Sequence, residues 1–158
     1  MRAIAMRILF ALAPIVLGMA AALPSDAAEA NLCRLNVTPV RFGTYNPFSP
    51  AAARANGSIT YDCSAGTPIS IALEHSSGTS PTTRVMTQGP HILEYNLYLD
   101  AACTVAWGDG TGGGQMYRDP APPSDSPVSV PIYGCIRAGQ RDALVGPYME
   151  SFAVTIKF

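Results

Sequence analysis

YMESFAVTIKF, residues 148–158, carries a regular alternation of side chains. From residue 152 onward every second residue is apolar, and the residues between them are small or polar. The apolar set is Phe152, Val154, Ile156 and Phe158. A period of two predicts a β-strand with one buried face. Proteins normally protect the free edge of such a strand with charge, proline or a bulge, and only Lys157 is available here. We therefore expect an earlier strand or another polypeptide to cover this edge.

The length and composition of the chain limit the number of domains and the kinds of partner to expect. A length of 158 residues suits one ordinary domain. Charged residues make up 13% of the sequence and the formal net charge is −1. This balance gives no reason to expect nucleic acid or an anionic membrane as a partner.

The first thirty residues have the pattern of a signal peptide. Arg2 and Arg7 precede an apolar run at residues 8–23, and AEA at residues 28–30 fits a cleavage site. The run is shorter than the roughly 20 residues that a spanning helix needs. We expect residues 1–30 to be removed, although a cut after Ala22 is also compatible. Residues 31–158 would then form one exported domain without a membrane anchor.

Four cysteines lie in this domain, and export permits disulfides. They are Cys33, Cys63, Cys103 and Cys135. Four cysteines allow three pairings, and spacings of 30, 40 and 32 residues do not resemble the close ligand pairs of a zinc site. Cys33 and Cys63 fall on the apolar faces of two predicted strands, so a buried bridge between them is sterically sensible. A Cys103–Cys135 bridge would instead tie strand ends at the surface.

The rest of the chain alternates between strand patterns and turn signals. The substantial strands are predicted at 31–43, 57–64, 68–74, 91–100, 128–136 and 148–158, with short ones at 84–86 and 104–107. No segment shows the apolar spacing of a helix. This pattern predicts an all-β sandwich. A seven-stranded immunoglobulin-like sandwich would need one more strand after Phe158.

Several pieces of the sequence, in order, resemble the spore coat protein U domain family. They are CRLNVTPVRFGTYNP (33–47), GSITYDC (57–63), YNLYLD (95–100), WGDGT (107–111), PIYGCIRAGQ (131–140) and YMESFAVTIKF (148–158). The resemblance implies an incomplete immunoglobulin-like β-sandwich that lacks its final strand. It also implies an exported subunit of an archaic chaperone–usher pilus, found at the cell surface and supporting adhesion or biofilm formation. Its partners would be a periplasmic pilus chaperone, an outer-membrane usher and neighbouring pilus subunits.

The resemblance and the uncovered last strand together predict a groove that accepts a donor strand. We expect it between the first and last strands. The residues predicted to line it are Leu35, Val37, Phe152, Val154, Ile156 and Phe158. Strand addition of this kind gains affinity from main-chain hydrogen bonds and register from alternate side-chain pockets.

Two features depart from the family pattern. A polymerising pilin carries an alternating apolar donor segment before its first cysteine, whereas only Asn31 and Leu32 precede Cys33 after a cut at residue 30. Even the longer tail LPSDAAEANL would make a poor donor. Cys103 and Cys135 fall where the family often has other residues, and their joint presence favours a bridge between them.

No residue pattern points to catalysis, a cofactor or a metal. His75 and His91 sit beside turns without a nucleophile elbow, and Asp109 lacks the repeated oxygen ligands of a calcium loop. Trp107 with Tyr95 and Tyr98 could form a sugar platform, but such residues more often pack in a core. The alternatives left open are a secreted spore-coat or matrix protein outside a pilus, and a small secreted lectin or hydrolase.

Overall fold

The computed structural model describes residues 33–63, 68–75, 79–123 and 126–158. The predicted signal peptide lies outside these ranges. Within them the chain forms eight strands. In chain order they are β1 (Cys33–Thr38), β2 (Ala53–Cys63), β3 (Ile69–Leu73), β4 (Arg84–Gln88), β5 (His91–Tyr98), β6 (Tyr117–Asp119), β7 (Val128–Ile136) and β8 (Val154–Lys157). No helix in the described ranges is long and apolar enough to cross a membrane.

The strands form two antiparallel sheets. The five-stranded sheet has the order β1-β2-β7-β5-β4, and the three-stranded sheet has the order β6-β3-β8. β2 is the longest strand and pairs over nine residues with β7, from Ala53 opposite Ile136 to Tyr61 opposite Val128. In the three-stranded sheet β8 pairs only with β3 among the described residues, which leave its other edge open.

The core fills the space between the two sheets. Its fully buried members include Ile59, Ile71, Leu73, Leu97 and Ile132. These residues occupy the inward positions that strand alternation predicts.

Trp107 is completely buried and donates its indole N–H to the carbonyl oxygen of Ile71 at 3.0 Å. A buried indole normally finds such a partner. Trp107 is therefore a core residue and cannot serve as an exposed sugar platform.

The last stretch of sequence is not the single strand that its alternation predicts. Met149 first pairs with Thr87 on the edge of the five-stranded sheet, with N–O distances of 2.9 and 3.2 Å. The chain then crosses to the other sheet and forms β8 from Val154. Alternation predicts which residues face inward, but it does not distinguish one sheet from two.

Other elements also differ from the sequence prediction. β2 begins at Ala53, before its predicted start at residue 57, because residues 53–56 find partners at the end of β7. β6 was not predicted, since three residues are too few to show a period. Residues 104–107 make isolated bridges instead of a strand, through Ala106 and Trp107.

The structure contains two disulfides, Cys33–Cys63 and Cys103–Cys135. Cys33 lies directly opposite Cys63 in the β1–β2 register. Cys103 lies in the turn after β5 and meets Cys135 on the outward side of β7. The first bridge ties an edge strand to the core, and the second ties a loop to the outer face of the same sheet.

Candidate functional site: an apolar groove between the sheets

A groove of about 900 Å³ opens between the two sheets, and we call it the acceptor groove. Its floor is the inner face of the five-stranded sheet, from Leu93, Tyr95, Leu97, Ile132 and Ile136. One side, the first wall, is the chain after β1 (residues 39–47), and the other, the second wall, is residues 143–154. The groove therefore runs beside the core and is continuous with it.

The first wall crosses the five-stranded sheet through a trough made by two glycines. A Cβ atom at Gly57 would lie 2.5 Å from the carbonyl oxygen of Thr38, and one at Gly134 would lie 2.6 Å from Val40 and 2.7 Å from Phe42. Real side chains do not approach so closely, so both positions require glycine. The trough lets Val40 and Phe42 lie directly against the five-stranded sheet.

The second wall is fixed to the edge of the five-stranded sheet. The Thr87–Met149 bridge holds its middle. The side chain of Gln88 donates to the carbonyl oxygen of Val145 at 3.3 Å, and the hydroxyl of Tyr148 accepts from the N–H of Leu144 at 2.9 Å. These bonds leave Leu144, Val145 and Met149 largely exposed beside the groove.

Tyr95 on the floor contacts both walls. Its ring meets that of Phe42 edge to face, with centroids 5.8 Å apart and planes at 79°. Its hydroxyl donates a hydrogen bond to the carboxylate of Glu150 on the second wall. Burial, and then this bond to Glu150, raises the pKa of Tyr95 well above its usual value, so the hydroxyl stays protonated.

Arg84 lies directly opposite Tyr95 in the β4–β5 register and is fully buried. Its Nη2 donates to the carbonyl oxygen of Leu73 in the other sheet at 3.1 Å, and its guanidinium carbon lies 4.9 Å from the ring centroid of Phe152. Within the described residues its Nε and Nη1 have no hydrogen-bond partner. Arg84 thus links both sheets and the second wall through one buried cation.

Comparison with known families decides the assignment. The Spore Coat Protein U domain model matches residues 19–155. The chain belongs to this family. The family that the sequence pieces resembled is thereby confirmed, and the matched range includes both walls of the groove.

A solved structure shows the same fold. It is a chain of the CsuC-CsuE chaperone-tip adhesion subunit pre-assembly complex, from archaic chaperone-usher Csu pili of Acinetobacter baumannii. The TM-score is 0.56 at 18% identity, over 81% of this chain and 40% of that chain. This spore coat protein U domain therefore spans less than half of the chain it matches, and its fold is an immunoglobulin-like β-sandwich. A search of curated proteins finds no match.

The structure brings together half of the residues that were predicted to line the groove of this spore coat protein U domain. Val37, Phe152 and Val154 line it. The other three do not line it. Leu35 on β1 lies opposite Tyr61 of β2, and Ile156 on β8 lies opposite Ile71 of β3. Phe158 is 52% exposed. The groove is bounded by the segments that follow β1 and precede β8. The first lies over the inner face of the five-stranded sheet, and the second passes from the edge of that sheet to β8.

Several groove residues were missed from the sequence. Val40 and Phe42 are half-buried after Pro39, but they lie one residue out of phase with Leu35 and Val37, so the alternation of β1 does not predict that they face inward. Tyr95 was predicted as a buried strand residue, which is correct, but nothing local reveals that it meets Glu150 55 residues away. Such a pairing depends on the topology alone.

Two motifs of the spore coat protein U domain meet at one end of the groove. The hydroxyl of Tyr45 donates to the carbonyl oxygen of Arg137 at 2.8 Å and accepts from the N–H of Gln140 at 3.1 Å. The side chain of Gln140 in turn bonds the N–H and the carbonyl oxygen of Glu94, at 2.7 and 2.8 Å. The amide thereby continues the β5 ladder past the end of β7 and fixes the first wall.

The other polar candidates show no site. Asp109 accepts from the N–H and hydroxyl of Thr111 at 2.9 and 2.7 Å, as a turn residue does. These bonds lower the pKa of Asp109, and the bond from the Thr111 hydroxyl has the largest effect. Among the residues that the structure describes, no group of three or more His, Cys, Asp or Glu side chains could hold a metal.

Proposed function

We propose that this chain is an exported structural subunit of a surface fibre of the chaperone–usher type. In this proposal the acceptor groove takes a β-strand, first from a periplasmic chaperone and then from a neighbouring subunit. The observation that carries the proposal is the open groove of about 900 Å³, which is continuous with the core and bounded by two segments that leave their sheets. The subunit itself is structural and carries out no catalysis.

The groove has the physical character of a strand site. A strand laid beside the open edge of β8 would satisfy its unpaired backbone groups, and every second side chain would fill the groove. Each buried aliphatic or aromatic side chain contributes about 1.5–3 kcal/mol. Several such side chains are needed to offset the cost of ordering and associating a peptide.

The partners follow from the family and the structural relative. The relative is a chaperone–subunit complex of an archaic pilus, which supports a periplasmic chaperone and other subunits as partners of this chain. An outer-membrane usher would then place the subunit in a fibre at the cell surface, where it would support adhesion or biofilm formation. The poor donor character of the residues before Cys33 suits a terminal or minor subunit.

A secreted spore-coat or matrix protein of the same fold is the second candidate. The family description itself favours it, because that description names a spore coat protein and not a pilus. Such a protein would still need its groove filled, but by its own chain or by an identical copy. A lectin or hydrolase has weaker support, since Trp107 is buried and Tyr95, a second residue of the predicted sugar platform, contacts both walls.

Co-expression tests the proposal. The mature chain is produced in the periplasm alone and with its candidate chaperone, followed by size-exclusion chromatography and intact mass. We expect aggregation or degradation alone and a one-to-one complex with the chaperone. A stable monomer with both disulfides and no affinity for the chaperone would contradict the proposal.

A matched pair of variants locates the contact. Val154→Asp puts a charge into the groove and should abolish the complex, whereas Lys157→Asp changes charge on an exposed position of the same strand and should not. Equal loss in both variants would mean that the strand, and not the groove, is affected.

A further inference from the structure

The floor of the acceptor groove is apolar except at Tyr95, whose hydroxyl meets Glu150 on the second wall. Both residues line the groove, so a strand placed there must pack a side chain over this pair. A side chain packed over the pair removes water from its acceptor lone pairs, and an acceptor that loses water without gaining a donor weakens binding. The pair is therefore expected to discriminate between side chains of the incoming strand.

The pair offers acceptors to the incoming strand and no donor. A tyrosine hydroxyl has one hydrogen, and here Tyr95 gives it to Glu150. What remains on the hydroxyl is lone pairs. A carboxylate has about four lone-pair sites and no hydrogen, so Glu150 can accept from the strand in addition to its other contacts. A complementary side chain must supply an N–H or O–H.

Arg84 restricts the charge of that side chain. Its buried guanidinium lies opposite Tyr95 and acts on the Tyr95 hydroxyl, where it opposes the rise in pKa. Because Arg84 already balances the charge of the Glu150 carboxylate at the Tyr95 hydroxyl, a second cation would be left uncompensated, which is costly in a desolvated interface. Lysine and arginine are therefore disfavoured relative to an uncharged donor.

We propose that the strand that fills the acceptor groove carries a neutral hydrogen-bond donor, such as threonine or serine, at the one position that faces Glu150 and Tyr95. This inference rests on the proposed function, namely that a strand occupies the groove. It adds a register mark: the polar position fixes where along the groove the strand comes to rest. An apolar groove without such a mark would tolerate slippage by two residues.

Peptide binding tests the register mark. The mature chain is refolded with synthetic peptides of 13 residues in which valine alternates with serine, and each valine is replaced in turn by threonine, which has nearly the same shape. At most positions the buried hydroxyl should weaken binding about tenfold, measured by competition against a fluorescent peptide. At one position threonine should bind as well as valine or better, and lysine there should bind more weakly than threonine.

Variants of the chain assign that position. In Glu150→Leu the threonine preference should disappear, and Glu150→Met is a second test if the leucine variant does not fold. Tyr95→Phe should keep the preference, because the carboxylate still accepts. If threonine weakens binding equally at every position, or its preference survives in Glu150→Leu, the inference is overturned while strand binding stands. If no peptide binds at all, the proposed function fails and the inference with it.

Discussion

Asp100 follows β5 and organises the turn that leads to Val105. Its carboxylate accepts from the N–H of Val105 at 2.7 Å, and from the N–H and hydroxyl of Thr104 at 3.0 and 2.8 Å. These bonds lower the pKa of Asp100, and the bond from the Val105 N–H has the largest effect. The ionised carboxylate therefore contributes stability that is present above the unfolded pKa of about 4 and is lost as the pH falls through the lower folded pKa.

We expect Asp100→Ala to lower the urea midpoint at pH 7, measured on the chain refolded with a peptide bound in the groove, which we call the peptide-filled chain. The difference from the parent chain should shrink as the pH falls below about 4. Asp142→Ala is the control, because Asp142 is exposed and makes no hydrogen bond in the described ranges. An Asp100→Ala deficit that is unchanged at pH 2 would show that the turn does not depend on the ionised carboxylate.

Gly134 shows how one hydrogen in place of a side chain can position a functional wall. Because a Cβ there would meet Val40 and Phe42, Gly134→Ala should push the first wall away from the sheet. Overpacking of this kind costs about 1–3 kcal/mol, so peptide binding should weaken by at least several-fold. Phe42→Leu in the same chain should restore part of the loss, and Ser129→Ala on the outer face of β7 should leave binding unchanged. No rescue by Phe42→Leu would contradict this account of the trough.

On the side that faces β7, the first half of β5 is paired by a side chain in place of a strand residue. β7 ends at Ile136, opposite Tyr95, and the amide of Gln140 then bonds the backbone of Glu94. Gln140→Ala should leave these two backbone groups without partners and cost roughly 1–3 kcal/mol. Amide hydrogen exchange of Glu94 should accelerate accordingly. Gln115→Ala, at an exposed residue whose observed bonds are made by its backbone, should change neither quantity; faster exchange there too would indicate a general loss of stability.

The strands show where sequence alternation is informative and where it is not. β7 has the predicted bounds, residues 128–136, because its inward residues pack against one continuous core. The stretch after Tyr148 fails as a single strand, since Met149 and Val154 serve different sheets while keeping the same alternation. The first wall was missed because Val40 and Phe42 leave the ladder after Thr38 and face inward one residue out of phase with Leu35 and Val37. The family and the sandwich were thus predictable, whereas the groove depends on the paths of two segments outside the strands, which alternation does not reveal.

The two disulfides let overall stability be separated from groove formation. They span 30 and 32 residues, so the chain-entropy estimate gives both nearly the same value, roughly 3–4 kcal/mol. Only Cys33–Cys63, however, holds β1, the strand from which the first wall departs. Cys103–Cys135 joins a turn to the outer face of the sheet, away from the groove floor.

Removing either bridge as a Cys→Ser pair should therefore lower the urea midpoint of the peptide-filled chain by similar amounts. Peptide affinity should separate the two variants: Cys33→Ser with Cys63→Ser should lose most of it and accumulate poorly in the periplasm, whereas Cys103→Ser with Cys135→Ser should retain it. Equal affinities at equal destabilisation would mean that β1 keeps its place without the bridge. Normal periplasmic accumulation of the first variant would mean that hydrogen bonding to β2 alone is enough to hold the wall of the groove.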